Sequence, residues 1–303
     1  MRVVRYWDPG SGKASLGVVQ GNDVVALSGL FRNAEASFEA LLAQAAAEGT
    51  SALDLIKRAD LSQAARMPYA SLDIPPDRSR AHLLQPVIAE EIWGAGVTYE
   101  RSRHARQAES VVGDVYERVY DAARPELFFK ATPSRSVGPN EAVGLRGDSH
   151  WTVPEPELAL IIDHNLAIAG YTLGNDVSAR DIEGENPLYL PQAKVFNACC
   201  SVGPSILLKE PGDEAAFSIG CRVERTGREI FRAETSTAAM HRSFTDLVEY
   251  LGRFNTLPAI TILLTGAGVV PPDDFGLKAG DVIEIYSPGI GTLRNFTKLL
   301  SQR

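Results

Sequence analysis

The apolar positions near the start of the chain fall in short β-branched and aromatic runs. These are Val3 to Trp7, Leu16 to Gln20 and Val24-Val25-Ala26, with Gly21-Asn22-Asp23 supplying the turn between the last two. The spacing then changes. Phe38-Glu-Ala-Leu-Leu-Ala-Gln-Ala-Ala-Ala predicts a helix with Ser37 as its N-cap, and a second short helix is predicted over Ala52 to Arg58. Pro75, Pro76, Asp77 and Pro86 mark irregular backbone. A domain boundary is accordingly expected near residue 85, separating a small N-terminal α/β domain (1–85) from a larger domain (86–303).

Past that boundary, Tyr99 to Gln107 and Val115 to Ala122 have helical character. From Leu127 the pattern becomes short strands between Gly/Pro turns: Leu158 to Ile162, Ile168 to Leu173, Ser205 to Leu208, Phe217 to Val223, Ile260 to Leu264 and Asp281 to Tyr286. Helical spacing is expected once more, over Phe244 to Phe254. Strands and helices do not alternate regularly, which argues against a doubly wound parallel sheet. The expected class is α+β, with a mixed, β-rich second domain.

Composition narrows the range of functions. A net charge of −8 argues against a general nucleic-acid or anionic-membrane binder, because both require a basic surface. The chain has three cysteines, two of them adjacent (Cys199 and Cys200), so they cannot all pair internally, and neither CxxC nor Cys/His spacing suggests zinc. The opening Met1-Arg-Val-Val-Arg-Tyr-Trp turns polar at Asp8, and no run approaches the roughly 20 apolar residues of a membrane span. A cytoplasmic location is expected.

The most informative stretch is Pro154-Glu155-Pro156-Glu157, followed by Leu158-Ala-Leu-Ile-Ile. In extended backbone Glu155 and Glu157 point the same way, about 6.6 Å apart at Cα, a distance from which both can reach one hard cation. Pro156 donates no ladder hydrogen bond, which suggests an edge strand or a bulge. Taken alone, Glu-x-Glu more often describes a solvated strand face. The chain turns at Asp163-His164-Asn165, however, and returns through Ile168 to Leu173 into Asn175-Asp176, so Asp176 can lie beside the glutamates. Three carboxylates form a hard-oxygen site with positions left for water or substrate. Lys194 is the candidate cation to offset their charge.

These residues resemble the fumarylacetoacetate hydrolase superfamily. The resemblance is carried by Glu155-x-Glu157-Leu-Ala-Leu-Ile-Ile, by Gly170-Tyr171-Thr172-x-x-Asn175-Asp176-Val-Ser-Ala-Arg180-Asp181, and by Lys194-x-Phe followed by Gly203-Pro204. Leu127-Phe128-Phe129-Lys130, Leu264-Thr265-Gly266, Gly280-Asp281-Val282-Ile283 and Gly289-Ile290-Gly291-Thr292-Leu293-Arg294-Asn295 extend it over about residues 93 to 296. It implies a mixed-β catalytic domain behind a smaller N-terminal domain, assembled as a homodimer or homotetramer. It also implies Mg²⁺ or Mn²⁺ on Glu155, Glu157 and Asp176, and a small substrate with a 2-oxo acid or 1,3-dicarbonyl group.

Hydrolases of the superfamily carry Gly-x-Asn-Tyr-x-x-His, whose histidine helps to activate water. Here the stretch reads Gly96-Val97-Thr98-Tyr99-Glu100-Arg101-Ser102, with Ser102 at the histidine position. Loss of an imidazole removes the natural base for water. His104, about 200° further around a helix, is read as a surface residue. Glu126-Leu-Phe-Phe-Lys130 together with Pro191-Gln-Ala-Lys194 is similar to the branch that dehydrates 2-keto-3-deoxy sugar acids in pentose catabolism, in which the glutamate and the lysine serve as acid and base. In that chemistry a base takes a C3 proton, an acid helps the C4 hydroxyl to leave, and the resulting C3–C4 alkene isomerises, with hydrogen moving from C5, to 2-oxoglutarate semialdehyde. Glu126 and Lys194 are thus the expected proton-transfer groups, and Arg101, Ser102, Lys130 and Thr265 the expected contacts to substrate carboxylate and hydroxyls. Two other readings stay open: a hydrolase of acylpyruvates or other 2,4-diketo acids, and a metal-stabilised binding protein without turnover.

Overall fold

The structure is a computed structural model that describes residues 1–31, 37–109, 114–210 and 216–302. In chain order the first segment contains β1 (Arg2–Asp8), β2 (Lys13–Gln20), β3 (Asp23–Ala26), α1 (Phe38–Ala47), α2 (Ala52–Arg58), β4 (Arg66–Pro68), α3 (Tyr69–Leu72) and β5 (His82–Leu83). Next come β6 (Glu91–Gly96), α4 (Glu100–Glu109), α5 (Asp114–Asp121), β7 (Glu126–Ala131), β8 (Ser136–Val137), β9 (Ala142–Leu145) and β10 (Thr152–Val153). The central part holds β11 (Pro156–Asp163), β12 (Ile168–Asp176), β13 (Ser178–Ala179), α6 (Arg180–Glu185), α7 (Leu190–Lys194) and β14 (Cys200–Leu208). The chain ends with β15 (Ser218–Arg225), β16 (Arg228–Ser236), α8 (Phe244–Gly252), β17 (Ile260–Leu264), β18 (Val282–Ser287) and β19 (Gly291–Leu299).

The predicted elements of the first segment form where their local chemistry favours them. Ser37 Oγ accepts the Ala40 N–H (3.1 Å) at the start of α1, and Phe38, Leu41 and Ala45 form its buried face. Ser51 caps α2 by accepting the Asp54 N–H (3.0 Å). β1 pairs antiparallel with both β2 and β14, so the N-terminal strands continue into a large sheet ordered β4-β3-β2-β1-β14-β12-β11-β17-β6-β7. A second sheet runs β16-β15-β18-β19-β9. Both sheets are mixed: β17 pairs parallel with β6 and β19 parallel with β9, while their other principal pairings are antiparallel.

The middle of the large sheet is its most apolar part. Leu158 to Ile162 on β11 are wholly buried between β12 and β17. A strand covered on both faces reads as a continuous hydrophobic run, as this one does. The edge position expected from Pro156 is therefore corrected. β11 is central, and Pro156 is its first residue, where a missing N–H is tolerated. A second correction concerns helices. Besides α8, the region after residue 127 contains α6 and α7, which at six and five residues are too short to show a period in sequence.

Candidate active site

Glu155, Glu157 and Asp176 come together because β11 and β12 are antiparallel neighbours with Pro156 opposite Asn175 and Glu157 opposite Gly174. The Asp176 N–H donates to the Glu155 carbonyl (3.0 Å), and the Glu155 N–H donates to Asn175 Oδ1 (3.1 Å). All three carboxylates are buried, and each offers an oxygen within 4.8 Å of the others. β17 supplies the floor. Thr265 N–H and Oγ1 both donate to the Leu158 carbonyl, and the Gly266 N–H donates to Glu157 Oε2 (2.5 Å). Gly266 has φ +97°, and a Cβ there would lie 2.0 Å from Thr98 Oγ1, so only glycine fits this approach.

Two lysines reach the triad, each touching one oxygen of Asp176. Lys194, the last residue of α7, donates to Glu155 Oε2 (2.8 Å), Asp176 Oδ2 (2.9 Å) and Ser178 Oγ (2.6 Å). Lys130, on β7, lies 2.5 Å from Asp176 Oδ1 and donates to the carbonyls of Val177 (3.0 Å) and Lys194 (2.5 Å). α6 adds Arg180, whose Nη2 donates to Glu155 Oε1 (2.7 Å), and Glu183 beside it.

The electrostatics follow from burial. Desolvation pushes the Glu157 carboxyl well above its ordinary range, and the charges of Asp176 and Glu155 push it the same way; the Gly266 N–H and Lys194 only partly oppose them. Burial also works to raise Asp176, but Lys130 and Lys194 hold it below the usual range. Burial would lower Lys130, yet the facing Asp176 leaves it raised. The triad thus lacks positive charge at Glu157. An all-oxygen donor set with that shortage fits a hard divalent ion such as Mg²⁺. One pH effect follows. Because Glu157 must give up a proton to bind metal, Mg²⁺ affinity should fall about tenfold per pH unit below its raised pKa. Calorimetry of Mg²⁺ binding in buffers of different ionisation enthalpy should show proton release, and a pH-independent affinity would contradict this charge distribution.

Glu126 borders the same cavity. It pairs with Gly96 across β6 and β7, and its carboxylate lies where a residue-96 side chain would be, with Oε2 2.0 Å from an added Cβ. Glu126, the triad, Lys194, Glu183 and Ser102 border one cavity of about 30 Å³, space for roughly one or two waters. Of the other sequence-derived candidates, Arg101, Lys130 and Thr265 do not border the cavity. Arg101 is exposed on α4, its Nη2 donating to the Val270 carbonyl (3.2 Å). Lys130 and Thr265 are wholly buried, engaged with Asp176 and the backbone. Ser102 does border the cavity, but its Oγ donates to the Tyr99 carbonyl (2.7 Å) and accepts the Tyr99 N–H (3.3 Å), closing the start of α4. His104 is exposed on the same helix and does not border the cavity.

Sequence reasoning passed over Arg180, Glu183, Ser178 and the Gly266 N–H. The signal for the first two was their i,i+3 spacing just after Asp176, which puts them on one face of any helix that follows. Cys199 and Cys200 are buried free thiols behind the site, with Cys200 opposite Asp176 in the β12–β14 register.

Comparison with known proteins agrees with this geometry. A Haloferax volcanii protein named "probable 2-keto-3-deoxyxylonate dehydratase" is 53% identical over 215 residues, covering 71% of this chain and 74% of its own. The 2-dehydro-3-deoxy-D-arabinonate dehydratase of Saccharolobus solfataricus is 46% identical over 216 residues, covering 70% and 72%. The solved structure of a 2-keto-3-deoxy-D-arabinonate dehydratase complexed with magnesium and 2,5-dioxopentanoate superposes over the whole of both chains, with a TM-score of 0.81 and 35% identity. The fumarylacetoacetate (FAA) hydrolase C-terminal family matches residues 91–297, the span that contains the triad, both lysines and Glu126, and the chain belongs to that family.

Proposed function

We propose that this enzyme is a magnesium-dependent dehydratase of 2-keto-3-deoxy sugar acids, converting a 2-keto-3-deoxypentonate to 2-oxoglutarate semialdehyde and water. The observation that carries the reading is the composition of the cavity wall. It places Glu126 and Lys194 beside a hard-oxygen triad, and among the described residues no histidine borders it. The two dehydratase relatives support the reaction class, and the relative solved with magnesium and 2,5-dioxopentanoate (the same compound as the semialdehyde) supports the product and the metal.

Glu155, Glu157 and Asp176 would hold the magnesium, which supplies Lewis-acid stabilisation of negative charge developing at the C2 oxygen. Elimination across C3–C4 then needs a base at C3 and an acid at the C4 oxygen. Lys194 and Glu126 are assigned jointly to these transfers, because both border the cavity and neither belongs to the triad. Each such group contributes about 10²–10⁴ in rate. Water leaves rather than attacks, so Ser102 in place of a hydrolytic histidine is no loss. Lys130 and Thr265 support this site from behind. Lys130 holds Asp176, and Thr265 fixes the β11–β17 step. A cytoplasmic homodimer or homotetramer belongs to the same reading. It is supported by the family resemblance and by the three free thiols; among the described residues no helix is long and apolar enough to cross a membrane.

Incubation with Mg²⁺ and D- or L-2-keto-3-deoxypentonate should give an EDTA-sensitive loss of one water and a new aldehyde, seen by mass spectrometry. Intact pentonates alongside cleavage of an acylpyruvate would overturn the dehydratase reading while leaving the metal site in place. Gly96→Ala offers a test of Glu126 that leaves the residue itself unchanged. The new methyl occupies the space of the carboxylate, so kcat should drop by about 10²-fold or more. Circular dichroism should show the fold intact, because the displaced group is the end of a flexible side chain. Unchanged turnover would remove Glu126 from the proton-transfer pair.

A further inference from the structure

α6 carries Arg180 and Glu183 one turn apart. Arg180 Nη2 bonds Glu155 Oε1 (2.7 Å), its Nε lies 3.6 Å from Glu183 Oε2, and Glu183 Oε1 lies 3.9 Å from Lys194 Nζ. Arg180 is 2% and Glu183 5% exposed, and Glu183 borders the cavity. One carboxylate outside the triad therefore faces both of the cations that touch Glu155.

On a solvated helix an i,i+3 Arg–Glu pair is ordinary helix support. Burial changes that. Buried ion pairs can often be replaced by apolar residues without loss of stability, so stability alone gives no account of Glu183. Lys194 does. Its ammonium sits on a flexible four-carbon stem, and two of its acceptors, Glu155 and Asp176, are the carboxylates assigned to the metal. Oxygens that serve an ion have less to offer a lysine, whereas Glu183 lies outside the triad with Oε1 3.9 Å from the ammonium.

We propose that Glu183 is a positioning residue, holding the Lys194 ammonium at the cavity wall. This rests on the reading of Lys194 as a proton-transfer group. Glu183→Gln keeps length and hydrogen bonding but removes the charge. Titration of Mg²⁺ alone into the metal-free Glu183→Gln protein should give an affinity within about threefold of the parent. Turnover of the 2-keto-3-deoxypentonate should show kcat down about 30-fold and KM within about threefold, the split expected when an interaction with the reacting group is lost. Glu183→Asp should recover part of the loss. In a Lys194→Met background the same change should have no further effect, because the two side chains act as one unit.

The result that overturns the proposal is an inactive Lys194→Met beside a Glu183→Gln whose kcat stays within about threefold of the parent. Mg²⁺ affinity falling in step with kcat would also overturn it, since Glu183 would then serve the triad instead. Full kcat in Lys194→Met would overturn the reading of Lys194 itself, a failure distinguishable from the other two. If Glu183→Gln does not fold, Glu183→Asp decides: an intermediate loss confined to kcat supports positioning, and no loss, or an equal loss of Mg²⁺ affinity, overturns it.

Discussion

Lys194→Met is expected to lower kcat by about 10³-fold while Mg²⁺ binds at least as tightly as in the parent enzyme. The two halves of this result have different origins. Turnover falls because the ammonium that borders the cavity beside Glu155 and Asp176 is gone, and methionine, with a similar stem, restores the packing but no transferable proton. Mg²⁺ affinity holds because Lys194 is not a ligand and its positive charge competes with the ion for the same two carboxylates. Stability should respond in a third way. Without metal, Glu155 and Asp176 are left buried with one partner fewer, and breaking a buried pair typically costs about 3–5 kcal/mol. The melting temperature of the metal-free variant should therefore fall, and saturating Mg²⁺ should restore most of it by binding only the folded state. Calorimetry, melting curves and steady-state kinetics on one preparation separate these effects. A kcat within tenfold of the parent would remove Lys194 from the proton-transfer step, and a parallel collapse of Mg²⁺ affinity would make it a structural support.

The triad was legible in sequence because its geometry is local. Glu155 and Glu157 are two residues apart, the turn after Asp163 folds β12 directly back on β11, and Asp176 follows from the antiparallel register. What depended on distant chain was not legible. Pro156 suggested an edge because nothing near it reveals that β17, about a hundred residues later, covers the other side of β11. Lys130 and Thr265 had the right chemistry for substrate contacts. Only the assembled sheet shows that Asp176 holds one and the Leu158 carbonyl the other. Arg101 does not border the cavity: its guanidinium donates to the carbonyl of Val270, a lining residue, while its neighbour Ser102 borders the cavity directly. The N-terminal strands were read correctly as strands, but their continuation into the large sheet runs through β1 and β14, nearly two hundred residues apart.

Glu157 carries the other large effect, and its two replacements should differ in an informative way. Glu157→Ala removes a ligand and leaves the Gly266 N–H without its acceptor. Mg²⁺ affinity should fall by well over the roughly 10–100-fold that loss of an outer-shell partner costs, and turnover at millimolar Mg²⁺ should vanish with it. Glu157→Gln should lose Mg²⁺ and turnover as completely, yet keep the Gly266 contact and make the metal-free protein more stable at alkaline pH. The sign follows from the raised carboxyl. A group whose folded pKa lies above its unfolded value of about 4.5 contributes stability below that value and loses it as pH rises through the folded pKa. Above that pKa the parent holds a third charge beside Asp176 and Glu155, and glutamine does not. The stability advantage of Glu157→Gln over the metal-free parent should therefore be absent near pH 4, grow as pH rises from about 4.5 toward the folded pKa, where only the unfolded carboxyl is ionised, and level off above the folded pKa. Melting curves with EDTA across this range would show the trend. Saturating Mg²⁺ should reverse the order, because it stabilises only the parent. A Glu157→Gln variant that still bound Mg²⁺ with parental affinity would show that the ion does not sit on Glu157, and the three-carboxylate centre would have to be abandoned.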